Sequence, residues 1–365
     1  SNIAANQRPN LIVFSMIPLR NLGRAVLVIH LVLLAACDGP GPSSRVELPD
    51  EPVPYTSVRF DHAVFRADFS DPATARQQLY QPAGIFYCYY VEDILRLGAC
   101  DSMATVSELK AFATWPDMVE LQQQVDTVYP ASRVDGLDEQ FRQAIGRWHT
   151  LFPDSLLPVV IYMNSGLNFS AFSSDSFMAV GLDYFLGPDN PIASKLPSDF
   201  FPTYLREDML PEYAVVNTIK DFCQREVAQS APQSGRPDLL HLMVYHGKVM
   251  YLLELLLPDE TDAVRMNWTD EQQQWALANE WNTWKELARQ EVMFNTSSRD
   301  NIRWFDFGPF TNAAQVPQES PPQLGIWMGW NMVRAYMADH PETPVAKLLA
   351  DIPDRAILSA YKPEN

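Results

Sequence analysis

Apolar and polar positions alternate with different periods in different parts of this chain. Near the start, an apolar stretch runs from Ala25 to Ala36, broken only by His30, and closes on Cys37. Residues 38–54 are rich in Pro, Gly and Ser and have no hydrophobic period, so they read as a tether. Beyond Tyr55 the pattern becomes that of a folded domain. Val58, Phe60, Val64, Phe65 and Phe69 suggest one strand or a strand pair over 58–69. Asp71-Pro72 opens a helix over 71–81, and helical spacing recurs over 87–97, 106–113, 118–128 and 137–151.

Two β-branched and apolar runs follow. Residues 157–164, bounded by Pro158 and by Ser165-Gly166, predict a strand, and residues 176–186, closed by Gly187-Pro188, predict a second. The polar stretch 168–175 between them reads as a turn, so the two make a hairpin or adjacent strands. From Pro211 on the period is helical: 212–228, 238–257, one long helix over 270–295 with Thr269 at its N-cap, then 324–340 and 345–349. A strand-bearing first half and a helical second half predict a predominantly helical α+β fold with a small N-terminal sheet.

The opening stretch changes the compartment. Arg20 and Arg24 precede the apolar run, and Leu34-Ala35-Ala36-Cys37 ends it, which is the layout of a secretory signal with a lipid-modified cysteine. The run is about twelve residues, short of the about 20 that span a bilayer. Met16 reads as the natural start. The expected organisation is therefore residues 1–36 as upstream sequence and signal peptide, 37–54 as lipid anchor and tether, and 55–365 as a single globular domain. The expected location is the envelope of a Gram-negative bacterium, lipid-anchored and facing the periplasm, with the choice of membrane open.

Charge narrows the partners. The chain holds 45 acidic and 27 basic residues, a net charge of −18. The part from Cys37 onward is more acidic still, because the first 36 residues contain Arg8, Arg20 and Arg24 and no acid. Such a polyanion is repelled by nucleic acid. Three cysteines follow the anchor. Cys88 and Cys100 are close enough to bridge in an oxidising compartment, worth roughly 3 kcal/mol, but three free thiols fit the sequence equally well.

Candidate chemistry is sparse. There is no Gly-x-Ser-x-Gly elbow; Ser165-Gly166 offers half of one, with Met163-Asn164 on the wrong flank. His241 and His246 share one helix, but at about 100° per residue they diverge by roughly 140°, unlike the His-Glu-x-x-His pair of zinc helices. No metal and no cofactor are expected. Asp183, Glu280 and Asp306 sit in apolar surroundings that would raise a carboxyl pKa, though caps and ion pairs explain most such acids. Leu277, Trp281 and Trp284, and then Trp327, Trp330, Val333 and Met337, form stripes that read as core, with a glycan platform as the sharper reading. Lys248, Arg265, Lys285 and Arg334 stand near these stripes as possible buried-pair partners.

Several segments read together resemble one family. They are Met209–Tyr213, Met243–Tyr251, Leu256–Glu260, Trp268–Trp275, Asn279–Trp284, Glu319–Met337 and Ser359–Pro363, with Gly181–Asp189 in the middle. The series resembles the gliding-motility lipoprotein GldB family over about residues 58–363, most specifically from Gly325 to Met337. The resemblance implies an envelope lipoprotein of the kind associated with surface gliding of Bacteroidetes cells, though the Arg, Ala, Pro and Trp content is unusual for those cells. It also implies a zincin-like scaffold, similar to predicted zinc peptidases. Where those would carry catalytic motifs, this chain has Asn217-Thr-Ile-Lys-Asp221 and Tyr245-His246-Gly247. Asn217, Asp221, His246 and Glu280 then form a vestigial cleft without catalytic residues, and the protein is expected to bind an envelope protein partner without being an enzyme. The alternative is a zinc-dependent peptidase-like hydrolase with an atypical site.

Overall fold

The computed structural model describes residues 45–199, 201–230, 236–289, 292–313 and 316–363. The signal and lipid-attachment expectations for residues 1–36 and Cys37 lie outside the described residues. The strand β1 (Ser57–Arg59) leads into helices α1 (Phe60–Phe65), α2 (Pro72–Ala83), α3 (Phe86–Tyr89), α4 (Met103–Thr114), α5 (Pro116–Val128) and α6 (Ala131–Leu151). Then come β2 (Val159–Met163), β3 (Ala171–Ser173) and β4 (Phe177–Gly181). The remainder is helical: α7 (Thr203–Glu207), α8 (Tyr213–Ser230), α9 (Leu239–Leu256), α10 (Asp262–Met266), α11 (Asp270–Ala278), α12 (Glu280–Arg289), α13 (Ser298–Asn301), α14 (Leu324–Asp339), α15 (Val345–Ala350) and α16 (Asp354–Ala360). The protein is thus a predominantly helical α+β fold with a small sheet in its first half.

The sheet order is β1-β2-β4-β3. β1, β2 and β4 are parallel, and β3 is an antiparallel edge. Parallel strands are covered on both faces, which is why β2 and β4 are near-continuous apolar runs. Their period of two divides the interior. Val160, Tyr162, Met178 and Val180 face the larger core, built with α6, α8 and α9. Ile161, Met163, Phe177 and Ala179 face a smaller, aromatic core. There Phe60, Phe86, Tyr90 and Phe177 meet edge-on or tilted, with centroids 5.0–5.8 Å apart.

Three expectations change. The strand foreseen over 58–69 stops at Arg59, because Phe60, Asp61 and Val64 are buried at helical spacing on α1. The polar turn over 168–175 contains β3, so the hairpin is β3–β4, while β2 and β4 are adjacent but parallel. The long helix over 270–295 breaks at Asn279, whose side-chain amide turns back onto the Trp275 carbonyl at 2.9 Å. Thr269 does cap α11, in a capping box with Gln272. Separately, α9 is by length and composition apolar enough to cross a membrane. It is instead the central core helix, 78% buried.

Part of the expected tether touches the folded region. Val46, Val53 and Tyr55 pack on the larger core, Leu48 and Pro49 lie over Gly146 of α6, and Thr150 donates to the Glu47 carbonyl at 3.2 Å. Cys88 and Cys100 form a disulfide, and Cys223 is buried with its thiol pushed well up by burial.

The second half is organised by the crossing of α9 and α14. Their backbones touch: a Cβ on Gly329 would lie 1.8 Å from the Met243 carbonyl oxygen, and one on Gly247 would lie 2.2 Å from that of Gly329. Only glycine fits at both places. Beside the crossing, Glu254 accepts from Trp330 Nε1 and Arg334 Nε, both at 2.8 Å. Arg334 forks onto Asp262 at 2.6 and 2.8 Å, and Arg265 reaches Asp262 at 2.8 Å. Arg334 also lies 3.8 Å above the Trp330 ring. Of the four cations foreseen near the stripes, Arg265 and Arg334 are buried-pair partners, Lys248 donates to the Leu349 carbonyl, and Lys285 is exposed.

Candidate functional site

The parallel strands end together, and polar residues gather at their carboxyl ends, where open sheets place ligand sites. Arg59 closes β1. Asp61 and His62 follow on the first turn of α1, Gln122 and Asp126 face them from α5 one helical turn apart, Asn164 follows β2, and Asp183 follows β4.

The outer end is a charge cluster. Arg59 forks onto Asp61 through Nε at 2.9 Å and Nη2 at 2.6 Å. The same Nη2 lies 2.8 Å from His62 Nε2 and 3.7 Å from Asp126 Oδ1. His62 Nε2 is in turn 2.8 Å from Asp126 Oδ1. Gln122 steadies both acids, donating to Asp61 at 3.0 Å and to Asp126 at 3.1 Å, and accepts from Asn164 at 3.1 Å. Asp61 has no exposed surface, whereas the Asp126 side chain is 43% exposed. The cluster therefore runs from solvent into the interior.

The inner end is a carboxylate held by backbone. Asp183 accepts from the N–H groups of Ser165 at 3.0 Å and Leu167 at 2.6 Å and from the Ser165 hydroxyl at 3.2 Å. Burial nonetheless pushes its pKa up to about 6, the direction that its apolar strand suggested. To aim those amides, Gly166 and Leu167 take the left-handed conformation, at φ 67° and 65°. A π-helical turn over Tyr90–Ile94 brings the Tyr90 hydroxyl to the Asn164 carbonyl at 2.6 Å. Ser165 is not a free nucleophile: its Oγ accepts from the N–H groups of Asn168 and Phe169 and lies within hydrogen-bond reach of Asp183 and the Phe169 carbonyl.

The residues expected to line a vestigial cleft sit on the helices of the second half. Asn217 and Asp221 lie one turn apart on α8, which packs along β3, and Asp221 accepts from Ser173 of β3. Burial raises the Asp221 carboxyl. His246, on α9, stacks on Phe305 with ring centroids 5.0 Å apart, and burial drives its pKa down to about 4. Glu280, on α12, accepts from Tyr361 and Asn331. Among the described residues no hydrogen bond joins any two of these four. His241 and His246 do diverge: His241 pairs with Asp354 of α16 through Nδ1 at 2.8 Å. Trp330 is fully buried, Trp284 lies edge-on to Tyr361, and Trp281 and Trp284 are both half-buried on α12. Asp306 is exposed.

Sequence reading missed Arg59, Asp61, His62, Gln122, Asp126 and Asn164. They span over 100 positions, and the strand pairings of β1 with β2 and of β2 with β4 align them. The one local signal was a charged Arg-Phe-Asp-His run at the end of the short strand β1.

These features define an α+β domain with a polar centre at the sheet's carboxyl edge and a glycine-tight helix crossing behind it. The chain belongs to the gliding motility protein GldB family, whose model matches residues 42–363. That family is one of lipoproteins of the bacterial cell envelope. No curated protein and no solved structure matches the chain.

Proposed function

We propose that this protein is a gliding-motility-type lipoprotein, tied to the envelope membrane through acylated Cys37, whose domain binds a partner protein of an envelope machine and performs no hydrolysis. In this reading the domain over 55–365 is a zincin-like scaffold that has lost its chemistry, and Asn217, Asp221, His246 and Glu280 are the remnant of its site. The observation that carries it is the environment of Asp221 and His246. Each occupies a position where a peptidase of this type would hold zinc, and each is engaged otherwise. Asp221 is tied to Ser173, and His246 is stacked on Phe305, with no carboxylate among the described residues hydrogen-bonded to its ring. A catalytic zinc needs three converging ligands and a general base. Asn217 is a weak ligand, and Glu280 holds Tyr361 and Asn331. The acidic surface keeps the domain soluble and favours a protein partner over nucleic acid.

The test has two arms. Metal content of the purified full chain is expected to be indifferent to His246→Ala; stoichiometric zinc that is lost with His246→Ala would overturn the reading in favour of a peptidase. In cells lacking the gene, a copy carrying His246→Ala should restore the lost phenotype and a copy carrying Cys37→Ala should not. Full rescue by Cys37→Ala would sink the anchoring role.

A further inference from the structure

We propose that Asp61, His62 and Asp126 form a divalent-cation site at the carboxyl edge of the sheet, closed in its empty state by the guanidinium of Arg59. The site is separate from Asn217, Asp221 and His246 on α8 and α9 and independent of the reading above.

Three features point to a cation. The three donor atoms, one nitrogen and two carboxylate oxygens, lie within 4.8 Å of one another. They already surround a positive charge: Arg59 Nη2 lies 2.6 Å from Asp61, 2.8 Å from His62 and 3.7 Å from Asp126. That nitrogen marks where a cation is held. Charge points the same way. Two aspartates against one arginine leave the cluster net negative, whereas two aspartates around a divalent ion are neutral. An anion has no comparable place here.

The third feature is a conflict at one atom. His62 Nε2 faces the Arg59 donor and the Asp126 acceptor, both at 2.8 Å. A neutral nitrogen can accept from Arg59, but its lone pair then opposes the Asp126 oxygen. A protonated nitrogen can donate to Asp126, but its proton then opposes Arg59. No protonation state satisfies both contacts. A cation satisfies both the nitrogen and the carboxylate once Arg59 withdraws. Arg59 has somewhere to go, since its side chain is 21% exposed. Gln122 holds both carboxylates from behind, as outer partners orient metal ligands. Bonds of about 2.1 Å in a tetrahedral shell set donors about 3.4 Å apart, so Asp61 must draw closer to His62 than its present 4.0 Å and Asp126 must part from His62 beyond 2.8 Å. A rotamer change of Asp126 can supply the second shift. One imidazole with two carboxylates suits Mn²⁺ or Zn²⁺.

Mn²⁺ titrated into the full chain, with free Mn²⁺ followed by electron paramagnetic resonance, tests this. Arg59→Gln removes the internal competitor and should bind one Mn²⁺ at least tenfold more tightly than the wild type. Adding Asp126→Asn should reverse the gain. An affinity unchanged by Arg59→Gln, or a gain that survives Asp126→Asn, overturns the site. If Arg59→Gln does not fold, the wild type decides: millimolar Mn²⁺ should raise its melting temperature, and the single Asp126→Asn variant should show no rise. Equal rises, or none in the wild type, reject the proposal. Metal bound here depends on Asp126 and not on His246, so the result is distinct from the test for a peptidase.

Discussion

Arg334 and Arg59 are similar residues in opposite halves of the molecule, and their surroundings differ in one respect. Each is a shielded arginine, 18% and 21% exposed, and each forks onto an aspartate. Around Arg334 every acceptor has its own donors: Glu254 takes Trp330 and Arg334, and Asp262 takes Arg334 and Arg265. Around Arg59 one histidine nitrogen is claimed twice, and Asp126 is half open to solvent. A closed network of charges fixes structure, while an open and contested one has capacity left for a ligand. The segment Gly325 to Met337 belongs to the closed network. Its glycines and its Trp-Arg pair serve helix packing and not chemistry.

That contrast can be broken at several points. Gly329→Ala should have the largest effect, since its methyl would overlap the Met243 carbonyl. We expect a loss above about 3 kcal/mol in urea unfolding or no folded protein; a loss under about 1 kcal/mol would mean that the helices part easily. Arg334→Met should cost about 3 kcal/mol, because it leaves shielded Glu254 with only the Trp330 N–H and Asp262 with only Arg265. The loss should shrink at acid pH as Asp262, whose carboxyl Arg334 and Arg265 hold below its usual range against the effect of burial, takes up a proton; a pH-independent loss would point to packing alone.

Asp183→Asn should act through pH. Its folded pKa, about 6, lies above the ordinary 3.8. Between those values the native state keeps a proton that the unfolded state has released, so this group makes stability fall as pH rises through that window. The asparagine variant, losing about 1–3 kcal/mol at low pH from a mismatched amide, should lack that slope. An unchanged slope between pH 4 and 6 would show that Asp183 is ionised throughout. His241 works in the other sense. Asp354 holds its pKa above the ordinary 6.5, so its contribution is complete below 6.5 and fades as pH rises through the folded value. Asp354→Asn should remove about 0.5–1 kcal/mol, discounted for exposure, below that range and little above it; an equal loss at pH 5 and pH 9 would argue against the charged pair. The smallest effect belongs to Asp306→Ala, within about 0.5 kcal/mol by thermal melting, as its carboxylate is exposed. A larger change would restore it as a functional candidate.

Much of the fold was legible along the chain. Helix starts such as Asp71, Asp238 and Thr269 carry side chains that bond the first free amides, and that chemistry is local. The apolar runs of β2 and β4 announce strands covered on both faces. The three-residue strands β1 and β3 were not legible, since the first merges into a helix and the second lies inside a polar stretch. The break at Asn279 was hidden because its cause is one side chain turning back on the backbone. Of the candidate site, only Asp183 could be suspected in advance, from its place after an apolar strand.

The sequence by itself determined most of the helices, the two buried strands β2 and β4, the spacing that sends their alternate residues to opposite cores, the acidic composition and the family, because each depends on neighbours along the chain. The tertiary structure alone decided which cysteines pair, which arginines find closed networks, and that Arg59, His62 and Asp126 meet. Those outcomes depend on distances between residues far apart in sequence, and the parallel register of β1, β2 and β4 sets where the two strand ends and the helices behind them come together.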